Sequence, residues 1–551
     1  MAAHRPSGLR DRPGRPAPAV AGTAGSGTRT RGVAAPSDRS HVLAVDLGTG
    51  GPKVGLVDFD GAVAWRGHEP VATELLPDGG AVQDAEAWWR AILSLGRDAV
   101  RSGLVDPASI VAVSVTGQYA STVPVDPAGV PVAPCVLWMD RRAAPLARAR
   151  FGGPVAGYDP RVLNAFVRTS GGAPSLSGAD PIGQRLLLSD RAPEAVEAAR
   201  WLLEPIDALV LRFCGTAAAT PATMATSWLL DTRRTGEPRY DRDLLRRAGV
   251  DARRLPPLAP IGSVAGPILP EVASRIGLTD DVAVVTGAPD LHTAALGAGA
   301  VHQHRAHLAL STSSWISCPV PRRRTDVRRQ ITTVPGLVAG EHLVIDNHEV
   351  GGLALAWWRD RVAEVDGPTG FEDLTAQAAM AEPGSGGAIF TPWLNGERSP
   401  VEDPHARGGF TNLSLSTRRA DLTRAVLEGV AYNSRWLFEA VEHLTGRHLE
   451  PVRVIGGGAV SDLWCQIHAD VLDRVVERPS LPRYANLRGA AFHAALALGV
   501  RTLDEVAAAV PVTSTFRPDP ANRDRYDELY RAFPQLHKRQ RPIFARLNRT
   551  P

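Results

Sequence analysis

Charged side chains of this chain stand where apolar runs break into glycine turns. Asp46 and Lys53 flank the turn Gly48-Thr49-Gly50-Gly51, and Asp290 directly follows the turn Gly287-Ala288-Pro289. Glycines accept positive φ and let backbone N–H groups converge, and converging amides attract phosphate. A carboxylate beside such a turn can meet Mg²⁺, which prefers carboxylate and water oxygens. These residue types and their spacing therefore indicate phosphate and metal chemistry.

Each of these aspartates also has a structural interpretation. The first turn is equally consistent with a plain β-hairpin in which Asp46 and Lys53 are solvated. Asp290 begins a helix of small residues, where an aspartate is often an N-cap. Alternatively, Asp290 is a carboxylate at a cleft that accepts the proton of a substrate hydroxyl group. The residues by themselves leave both interpretations open.

Two further turns carry groups suited to a nucleotide. The apolar run His307–Leu310 ends in the hydroxyl-rich turn Ser311-Thr312-Ser313, which repeats the design of the first hairpin. The run Val452–Ile455 ends in Gly456-Gly457-Gly458, shortly before Ser461 and a predicted helix. Glycines there permit close approach of a flat ligand, and a helix N-terminus favours phosphate or ribose oxygens. The spacing matches neither a dinucleotide fingerprint nor a P-loop.

A small polar substrate is expected at the ends of two other strands. The predicted strand Ile110–Thr116 leads into Gly117-Gln118-Tyr119-Ala120-Ser121. Ligand groups gather at the carboxyl ends of strands in α/β folds, so Gln118 and Tyr119 are candidate substrate contacts. Trp138 follows another apolar strand and could pack on a sugar face. The structural alternative for the Gln118 segment is a loop that only turns the chain, and a structural role alone explains the charged pair of Asp140 and Arg142 that follows Trp138.

A layered α/β scaffold is predicted around these turns. The first hairpin is followed by a third strand over residues 62–71, a helix that Asp84 caps, and the strand Ile110–Thr116. Strands and a helix in this order are typical of an α/β layer fold. Because the turn at Ser311 repeats the first design, the pattern suggests two related domains that face one nucleotide.

The rest of the chain is less informative. Between about residues 158 and 260, only the polar cluster of Ser177, Asp180 and Gln184 suggests chemistry. Apolar residues at helical spacing mark the later part of the chain. Helices are predicted there over residues 419–442, 462–472 and, as a C-terminal helical brace, 516–551.

Bulk composition excludes several classes of protein. At roughly 100–200 residues per domain, the 551 residues suggest about two to four domains. A formal charge of +3 gives no reason to expect a nucleic-acid partner. No apolar run approaches the ~20 residues that span a bilayer, so no membrane partner is expected. The four cysteines are far apart, which argues against a zinc site or a disulfide framework and favours a cytoplasmic protein.

Residues 1–40 are predicted to be a disordered leader. They are rich in Arg, Pro, Gly, Ala and Ser, a composition that cannot bury a core. They lack the apolar h-region of a secretory signal, and an organelle transit peptide is the weaker alternative.

Lysine is rare in the whole chain. Lys53 and Lys538 are the two lysines of the chain, which favours a specific role for Lys53.

Taken in order, the motifs resemble those of the FGGY carbohydrate kinases, and within them the xylulokinase-like branch. The resemblance runs from His41 to about Arg501 and depends on the ordered set rather than on one motif. The set comprises Asp46-Leu47-Gly48-Thr49 with Lys53, Trp138-x-Asp140-x-Arg142, Gly287 with Asp290, Glu397-Arg398-Ser399-Pro400 with Arg407-Gly408, Glu428-Gly429, Gly456-Gly457-Gly458 and Gly489-Ala490-Ala491.

The resemblance implies an α/β fold of two RNase-H-like domains, of the actin and sugar-kinase type, that flank an ATP cleft. An N-terminal kinase domain over residues 41–288 would bind sugar and phosphate. A C-terminal kinase domain over residues 289–515 would bind adenosine, and the brace would follow it. The implied ligands are ATP, Mg²⁺ and a small-molecule sugar, and a homodimer is left open.

The same resemblance implies roles for individual residues. Asp46 would help to place Mg²⁺, and Asp290 matches the position of the family's catalytic base beside the sugar. The implied sugar contacts are Gln118, Tyr119, Ala120 and Trp138. The implied nucleotide contacts are Gly48, Thr49, Lys53, Ser311, Thr312, Ser313, Gly457, Gly458 and Ser461. Phosphoryl transfer needs positioning, metal charge and a proton acceptor, which such groups would supply.

Two departures from the family bear on the substrate and the nucleotide. Typical xylulokinases carry Gly-Gln-Met-His-Gly where this chain has Gly117-Gln118-Tyr119-Ala120-Ser121, so a histidine that would hydrogen-bond the sugar is replaced. The second phosphate turn has Ser311 where the family usually has glycine. A serine at that position requires negative φ or some strain.

The expected function is ATP-dependent phosphorylation of a terminal hydroxyl of a ketopentose. D-xylulose is the first candidate, converted to D-xylulose 5-phosphate in xylose metabolism. The alternatives are a kinase of another pentulose or polyol and, from another class, a non-catalytic ATP-binding regulatory protein of the same fold. The missing glycine fingerprint disfavours an NAD dehydrogenase.

Overall fold

The computed structural model describes residues 40–233, 238–363 and 370–548. The disordered leader predicted over residues 1–40 lies outside these described residues, except for Ser40. The strands of the first half are β1 His41–Gly48, β2 Gly51–Asp58, β3 Val63–His68, β4 Glu74–Leu75, β5 Ala81–Gln83, β6 Ile110–Gly117, β7 Val123–Val125, β8 Cys135–Val136, β9 Gly152–Val155, β10 Trp201–Leu203, β11 Leu230–Asp231, β12 Arg239–Tyr240, β13 Val264–Pro267, β14 Ala283–Val285 and β15 Ala288–Pro289. Its helices are α1 Ala85–Arg101, α2 Ala144–Phe151, α3 Pro160–Ser170, α4 Pro181–Arg191, α5 Pro193–Ala198, α6 Pro205–Cys214, α7 Arg242–Ala248, α8 Pro270–Ile276 and α9 Asp290–Ala298.

The second half continues the alternation of strands and helices. Its strands are β16 Ala306–Leu310, β17 Ser314–Ser317, β18 Pro319–Val320, β19 Thr325–Asp326, β20 Ile331–Pro335, β21 His342–Ile345, β22 Ile389–Thr391, β23 Gly409–Thr411, β24 Val452–Ile455, β25 Val476–Pro479 and β26 Val512–Phe516. Its helices are α10 Leu353–Trp358, α11 Phe371–Ala379, α12 Arg419–Thr445, α13 Asp462–Leu472, α14 Ala485–Ala497, α15 Leu503–Ala508 and α16 Arg523–Leu547.

The first sheet is built around the hairpin of β1 and β2. Its strand order is β13-β14-β6-β1-β2-β3, with β1 antiparallel to β2 and parallel to β6. Strand β1 is apolar on both faces because both faces are covered. Leu43 and Val45 pack towards Trp88 of α1, whereas Val42 and Ala44 pack towards Leu487 of α14. This burial holds the turn after β1 at one edge of a rigid sheet.

The second sheet repeats this design in the second half. Its order is β17-β16-β24-β25-β26, with β16 antiparallel to β17 and parallel to β24. The turn between β16 and β17 is Ser311-Thr312-Ser313, and the turn after β24 is Gly456-Gly457-Gly458. The two turns are therefore neighbours at one end of this sheet, as the β1–β2 turn and the loop after β6 are in the first sheet.

Helices α9 and α14 lie side by side between the two sheets. Helix α14 packs on β1 of the first sheet, and α9 packs on β16 and β24 of the second. Two glycines allow the helices to touch backbone to backbone. A Cβ added at Gly489 would lie 1.8 Å from the Thr293 carbonyl oxygen, and one at Gly297 would lie 1.8 Å from that of Ala485. Each half thus contributes a helix to the other half's sheet.

A third hydrophobic core lies under the region from α2 to α7. Phe151, Phe166, Met224 and Leu244 are among its buried residues. The second half carries its own addition, a four-stranded sheet of order β18-β21-β20-β19. These two additions matter for the site because both contribute to the wall of the central cavity.

Other expectations from the sequence can be checked against the described residues. Cys135, Cys214, Cys318 and Cys465 are buried free thiols, so each belongs to the core rather than the surface. Within the described ranges, no helix combines the length and the apolar character needed to cross a bilayer.

Candidate active site

A cavity of ≈ 290 Å³ brings together part of the predicted site. Of the residues predicted to bind substrate or phosphate, those that line it are Thr49, Gln118, Tyr119, Ala120, Trp138, Asp290 and Ser313. The other predicted residues lie outside its lining among the described residues: Asp46, Gly48, Lys53, Ser311, Thr312, Gly457, Gly458 and Ser461. The predicted set is thus divided between a cavity and the turns beside it.

Asp290 is the first residue of α9 and enters the cavity wall directly after β15. Its Oδ1 accepts a hydrogen bond of 2.8 Å from the Leu291 N–H, while the residue at the N-cap position is Pro289. Burial, reinforced by the charge of Asp46, raises the pKa of Asp290 to about 7, although the Leu291 N–H and Lys53 oppose the shift. A carboxyl with this pKa can accept a proton near neutral pH.

Asp46 and Lys53 form an ion pair across the first hairpin. They are paired in the strand register, and Lys53 Nζ lies 3.1 Å from Asp46 Oδ2. Asp46 is only 5% exposed, and its negative charge raises the pKa of Lys53. Because both side chains shift the pKa of Asp290, the three charges act on one another. The solvated hairpin of the structural interpretation is therefore wrong for Asp46.

The donor set at Asp46 fits Mg²⁺. In kinase sites this ion is usually held by one or two carboxylates together with substrate phosphates, rather than by a cage of protein ligands. Among the described residues, no group of three or more His, Cys, Asp or Glu side chains could hold a metal ion. A single buried carboxylate beside a phosphate-type turn is the arrangement that this coordination needs.

The loop after β6 is bound to the first hairpin through side chains. Thr49 Oγ1 donates to Gln118 Oε1 over 3.2 Å, and Trp138 Nε1 donates to Thr49 Oγ1 over 3.3 Å. Gln83 Nε2 donates to the Thr49 carbonyl over 2.7 Å, and Gln83 Oε1 accepts from Gln118 Nε2. These bonds orient the Gln118 and Trp138 side chains at the cavity.

Ala120 occupies the position where typical xylulokinases carry histidine. Its φ is 59°, a left-handed conformation that non-glycine residues rarely adopt. The Ala120 carbonyl accepts from Gln184 Nε2 over 2.7 Å, and the next N–H, of Ser121, donates to Glu204 Oε2 over 3.0 Å. Gln184, noted in the sequence as part of a polar cluster, is thus a support of this loop rather than a cavity contact.

The second hairpin turn is built without strain at Ser311. Ser311 is absent from the described non-glycine residues with positive φ, so serine fits here in an ordinary conformation. Close packing comes from glycines on other segments. A Cβ at Gly456 would lie 2.5 Å from the Leu310 carbonyl oxygen, and one at Gly352 would lie 2.8 Å from that of Ser311.

The residues predicted to line the adenosine pocket differ in how closely other atoms pack against them. A Cβ at Gly457 would meet no atom within 4 Å, and the residue is exposed. Gly458 instead packs against Leu310 and Trp464, each 2.9 Å from an added Cβ. The Ser461 hydroxyl accepts from the Trp464 N–H as the N-cap of α13. Gly457 is therefore the member of this group that leaves space for a flat ligand.

Arg398 lines the cavity but was not among the predicted site residues. Its guanidinium lies 5.6 Å from the ring centroid of Trp138, and its Nη2 lies 3.0 Å from Glu349 Oε1. Glu397 positions this pair, because its Oε1 accepts from the backbone N–H groups of Arg398 and Glu349. The motif containing Arg398 had been noted, but nothing in the sequence pointed it towards Trp138.

Asp346 was also missed, although the sequence carried a usable signal. Asp346 directly follows the apolar strand β21, and Asp46 lies within the apolar strand β1. Only the motif around Asp46 was recognised in the sequence. Asp346 is 5% exposed, lines the cavity and accepts from the Ile316 N–H through Oδ1. Burial raises its pKa to about 8, so the carboxyl is largely protonated at neutral pH.

Two family models match the chain over most of its length. The model described as the FGGY family of carbohydrate kinases, N-terminal domain, matches residues 41–152 and 175–297. The model for the C-terminal domain of the same family matches residues 317–498. The matches include every motif of the resemblance except the second phosphate turn, which lies between the two models.

Individual relatives span nearly the whole chain. A xylulose kinase of Staphylococcus epidermidis is 28% identical over 513 residues, which is 92% of this chain and 98% of that protein. A glycerol kinase of Deinococcus radiodurans is 26% identical and covers 89% of this chain and 95% of that protein. The crystal structure of a gluconate kinase from Lactobacillus acidophilus has a TM-score of 0.80 at 22% identity, over 92% of this chain and 99% of that one. The predicted two-domain α/β fold is confirmed.

Proposed function

The chain belongs to the FGGY family of carbohydrate kinases, and on that premise we propose that it phosphorylates a terminal hydroxyl group of a ketopentose with ATP. D-xylulose, converted to D-xylulose 5-phosphate, is the first candidate. The relatives named xylulose kinase support this choice. The single observation that carries the proposal is the half-buried Asp290 carboxyl in the wall of a cavity that Gln118 and Trp138 also line.

The proposed reaction transfers one phosphoryl group. The acceptor hydroxyl oxygen forms a bond to the γ-phosphorus, the bond between that phosphorus and the β–γ bridging oxygen breaks, and ADP leaves. Asp290 accepts the proton of the hydroxyl group. Mg²⁺, when bound at Asp46 and the phosphates, supplies positive charge against the developing negative charge. Most of the catalysis then comes from positioning by this chain's own residues.

We assign the two sides of the cleft to the two substrates. Gln118, Tyr119, Ala120 and Trp138 position the sugar around Asp290. The nucleotide side comprises Gly48, Thr49, Lys53, Ser311, Thr312, Ser313, Gly457, Gly458 and Ser461. The accompanying domain ranges are 41–288 for sugar and phosphate, 289–515 for adenosine and 516–551 for the C-terminal brace.

The charge of the cavity supports a neutral acceptor over a sugar acid. Among the described residues of its lining, five carry carboxyl groups and one carries a guanidinium, namely Asp180, Asp290, Asp326, Asp346, Glu402 and Arg398. Arg398 is in addition paired with Glu349. An aldonate would bring a negative charge into this surrounding, where the one guanidinium among the described lining residues is already paired with Glu349. Another pentulose or an uncharged polyol is therefore the second candidate acceptor.

An acceptor panel tests this proposal directly. ADP release would be followed in a coupled assay with D-xylulose, D-ribulose, xylitol, glycerol and D-gluconate. We expect the highest kcat/KM with a ketopentose. Turnover confined to non-ketose polyols would overturn the choice of xylulose, and turnover of gluconate as the best acceptor would overturn the argument from charge.

The variant Asp290→Asn tests the base. Amide cannot accept the hydroxyl proton, so we expect kcat to fall by about 10³-fold, within the usual range for a general base. ATP affinity, measured by calorimetry, should be unchanged. Asp98→Asn on the exposed surface of α1 is the matched control and should keep full activity. A fully active Asp290→Asn enzyme would show that another group takes the proton.

A further inference from the structure

A loop between β22 and β23 supplies two side chains to the cavity. Arg398 and Glu402 line the cavity, and both belong to residues 397–403, which we call the 397–403 loop. Its two ends are paired through the backbone. The Glu397 N–H donates to the Asp403 carbonyl and the Asp403 N–H donates to the Glu397 carbonyl, each over 2.9 Å. Because these bonds close the loop, a shift of Asp403 is passed on to Glu397 and its neighbour Arg398.

The C-terminal helix α16 holds the Asp403 end of this loop. His537 Nε2 lies 3.0 Å from Asp403 Oδ2, and the two side chains are only 6% and 4% exposed. Burial opposes ionisation of Asp403, yet hydrogen bonds from the His537 ring and the His405 N–H hold the pKa of this carboxyl below its usual value. Asp403 is therefore ionised at neutral pH, and it accepts a hydrogen bond from the His537 Nε2–H.

Helix α16 makes further contacts at this end of the loop. The Asn548 carbonyl accepts from His405 Nδ1 over 2.9 Å, and Asn548 Nδ2 donates to the His405 carbonyl over 3.0 Å. Arg541 Nε lies 4.0 Å from Asp403 Oδ2. At 3.6 residues per turn, positions 537, 541 and 548 fall close to one face of a helix. One face of α16 therefore carries all of these contacts.

The other end of the loop fixes the direction of the Arg398 side chain. Arg398 Nε donates to Glu349 Oε1 over 3.0 Å, and the Glu349 side chain is only 4% exposed. Glu397 Oε1 accepts from the backbone N–H groups of both residues. The Arg398 guanidinium is thereby held 5.6 Å from the ring centroid of Trp138, a second residue of the cavity lining.

We propose that His537 of α16 is a positioning residue for the acceptor site, and that it acts through Asp403 on the place of Arg398. This inference rests on the proposed kinase function. The Arg398 guanidinium has more N–H donors than its bonds to Glu349 use, and the hydroxyl groups of a sugar can accept from the others. None of the described residues of α16 lines the cavity, so His537 itself touches no acceptor.

The variant His537→Leu removes the donor to Asp403. With the best acceptor of the panel, we expect at least a fivefold rise of Kd, measured by calorimetry, and of KM, while KM for ATP stays within twofold of wild type. His537→Gln, whose amide can still donate to Asp403, should restore both acceptor constants to within twofold. Unchanged acceptor constants in His537→Leu, or equal losses for acceptor and ATP, would overturn the proposal. His537→Asn, which is too short to replace Nε2, is the second variant if the leucine lowers the yield of folded protein.

A double-mutant cycle separates positioning from a general effect on the fold. Arg398→Ala should by itself raise the Kd of the acceptor at least fivefold. In the Arg398→Ala background, His537→Leu should raise that Kd less than twofold further, because the group that His537 positions is already absent. Independent, multiplying effects of the two substitutions would show that His537 does not act through Arg398.

Lys538→Ala is the matched control, since Lys538 directly follows His537 and is exposed on α16. It should leave every kinetic constant and the melting temperature unchanged. The two proposals fail in different ways. Acceptor binding without turnover counts against the kinase function alone, and wild-type acceptor affinity in His537→Leu counts against the positioning role alone. A lack of binding for every acceptor of the panel counts against both.

Discussion

Each half of the molecule has a hairpin of the same design at the cleft, but the two hairpins carry different side chains. The first, between β1 and β2, carries the Asp46–Lys53 ion pair and glycines in its own turn, with φ of 117° at Gly51. The second, between β16 and β17, carries Ser311-Thr312-Ser313 and no glycine. We call them the charged hairpin and the hydroxyl hairpin. The same hairpin design thus carries an ion pair in one half and hydroxyl groups in the other.

The comparison shows that the glycines that permit close backbone packing at a turn can lie outside the turn itself. In the charged hairpin, a Cβ at Gly51 would lie 2.2 Å from the Glu69 carbonyl oxygen, so the turn itself must be glycine. In the hydroxyl hairpin the required glycines are Gly351, Gly352 and Gly456, which belong to segments packed against it. Serine fits at position 311 because the residues that pack closely against this turn are glycines.

The largest expected difference between the hairpins lies in charge. We expect Asp46→Asn to lower kcat by about 10³-fold, corresponding to about 4 kcal/mol, because Mg²⁺ would lose its carboxylate and Lys53 its partner. Acceptor affinity, measured by calorimetry, should change less than twofold. The comparable change in the hydroxyl hairpin, Thr312→Ala, should cost far less. A loss of acceptor binding equal to the loss of turnover would contradict a metal role for Asp46.

The second prediction concerns pH. As the proposed base, Asp290 must be deprotonated to accept a proton, and its pKa is about 7. kcat/KM for the acceptor should therefore fall about tenfold per pH unit below that value. Lys53 opposes the rise of this pKa, so Lys53→Met should move the acid limb to higher pH. The pH profile of Ser311→Ala should match that of wild type. If the acid limb of the Lys53→Met profile did not move, the charge of Lys53 would not act on the pKa of Asp290.

The third prediction concerns Gly456, one of the glycines that pack against the hydroxyl hairpin from another segment. Gly456 has φ of 93°, and its added Cβ would collide with the Leu310 carbonyl. We expect Gly456→Ala to lower the free energy of unfolding by about 2 kcal/mol or more and to raise KM for ATP several-fold. Gly457→Ala is the stability control, because its Cβ meets no atom within 4 Å. Equal melting temperatures for both variants would refute the account of packing at the hydroxyl hairpin.

The smallest effect is expected for Ser311→Gly, which restores the residue usual in the family. Ser311 does not adopt positive φ, so glycine relieves no strain. The extra freedom of the unfolded chain should cost about 0.5–1 kcal/mol of stability, and KM for ATP should stay within twofold. Chemical denaturation and the coupled assay measure the two quantities. A clear improvement in ATP binding would mean that the serine is a burden after all.

Local patterns predicted most of the elements that carry the cleft. Helix α13 was expected over the residues where it is found, and α12 runs three residues further, to Thr445. The third strand was expected to reach residue 71 but ends at His68. Backbone hydrogen bonds to the first hairpin nevertheless continue past His68, from the Glu69 N–H to the Pro52 carbonyl and from the Val71 N–H to the Gly50 carbonyl. Apolar periodicity and turn residues act over short distances, so the sequence reveals them.

The wall of the cavity could not be predicted in the same way. Its bond from Thr332 to Gly171 joins residues 161 positions apart, and no local pattern indicates such a contact. Ser177 and Asp180 were noted as a polar cluster, and both line the cavity. Tyr158 and Trp228 looked like ordinary aromatic residues, because two residues so far apart in the chain reach the same cavity only after it has folded.

The backbone contact of α9 with α14 has a mechanical consequence. Thr293, which touches Gly489, is three residues from Asp290, or about 4.5 Å along the helix axis. Any rotation of one half about this contact would therefore displace the Asp290 carboxylate less than it would displace the outer edges of the cleft, because displacement grows with distance from the contact.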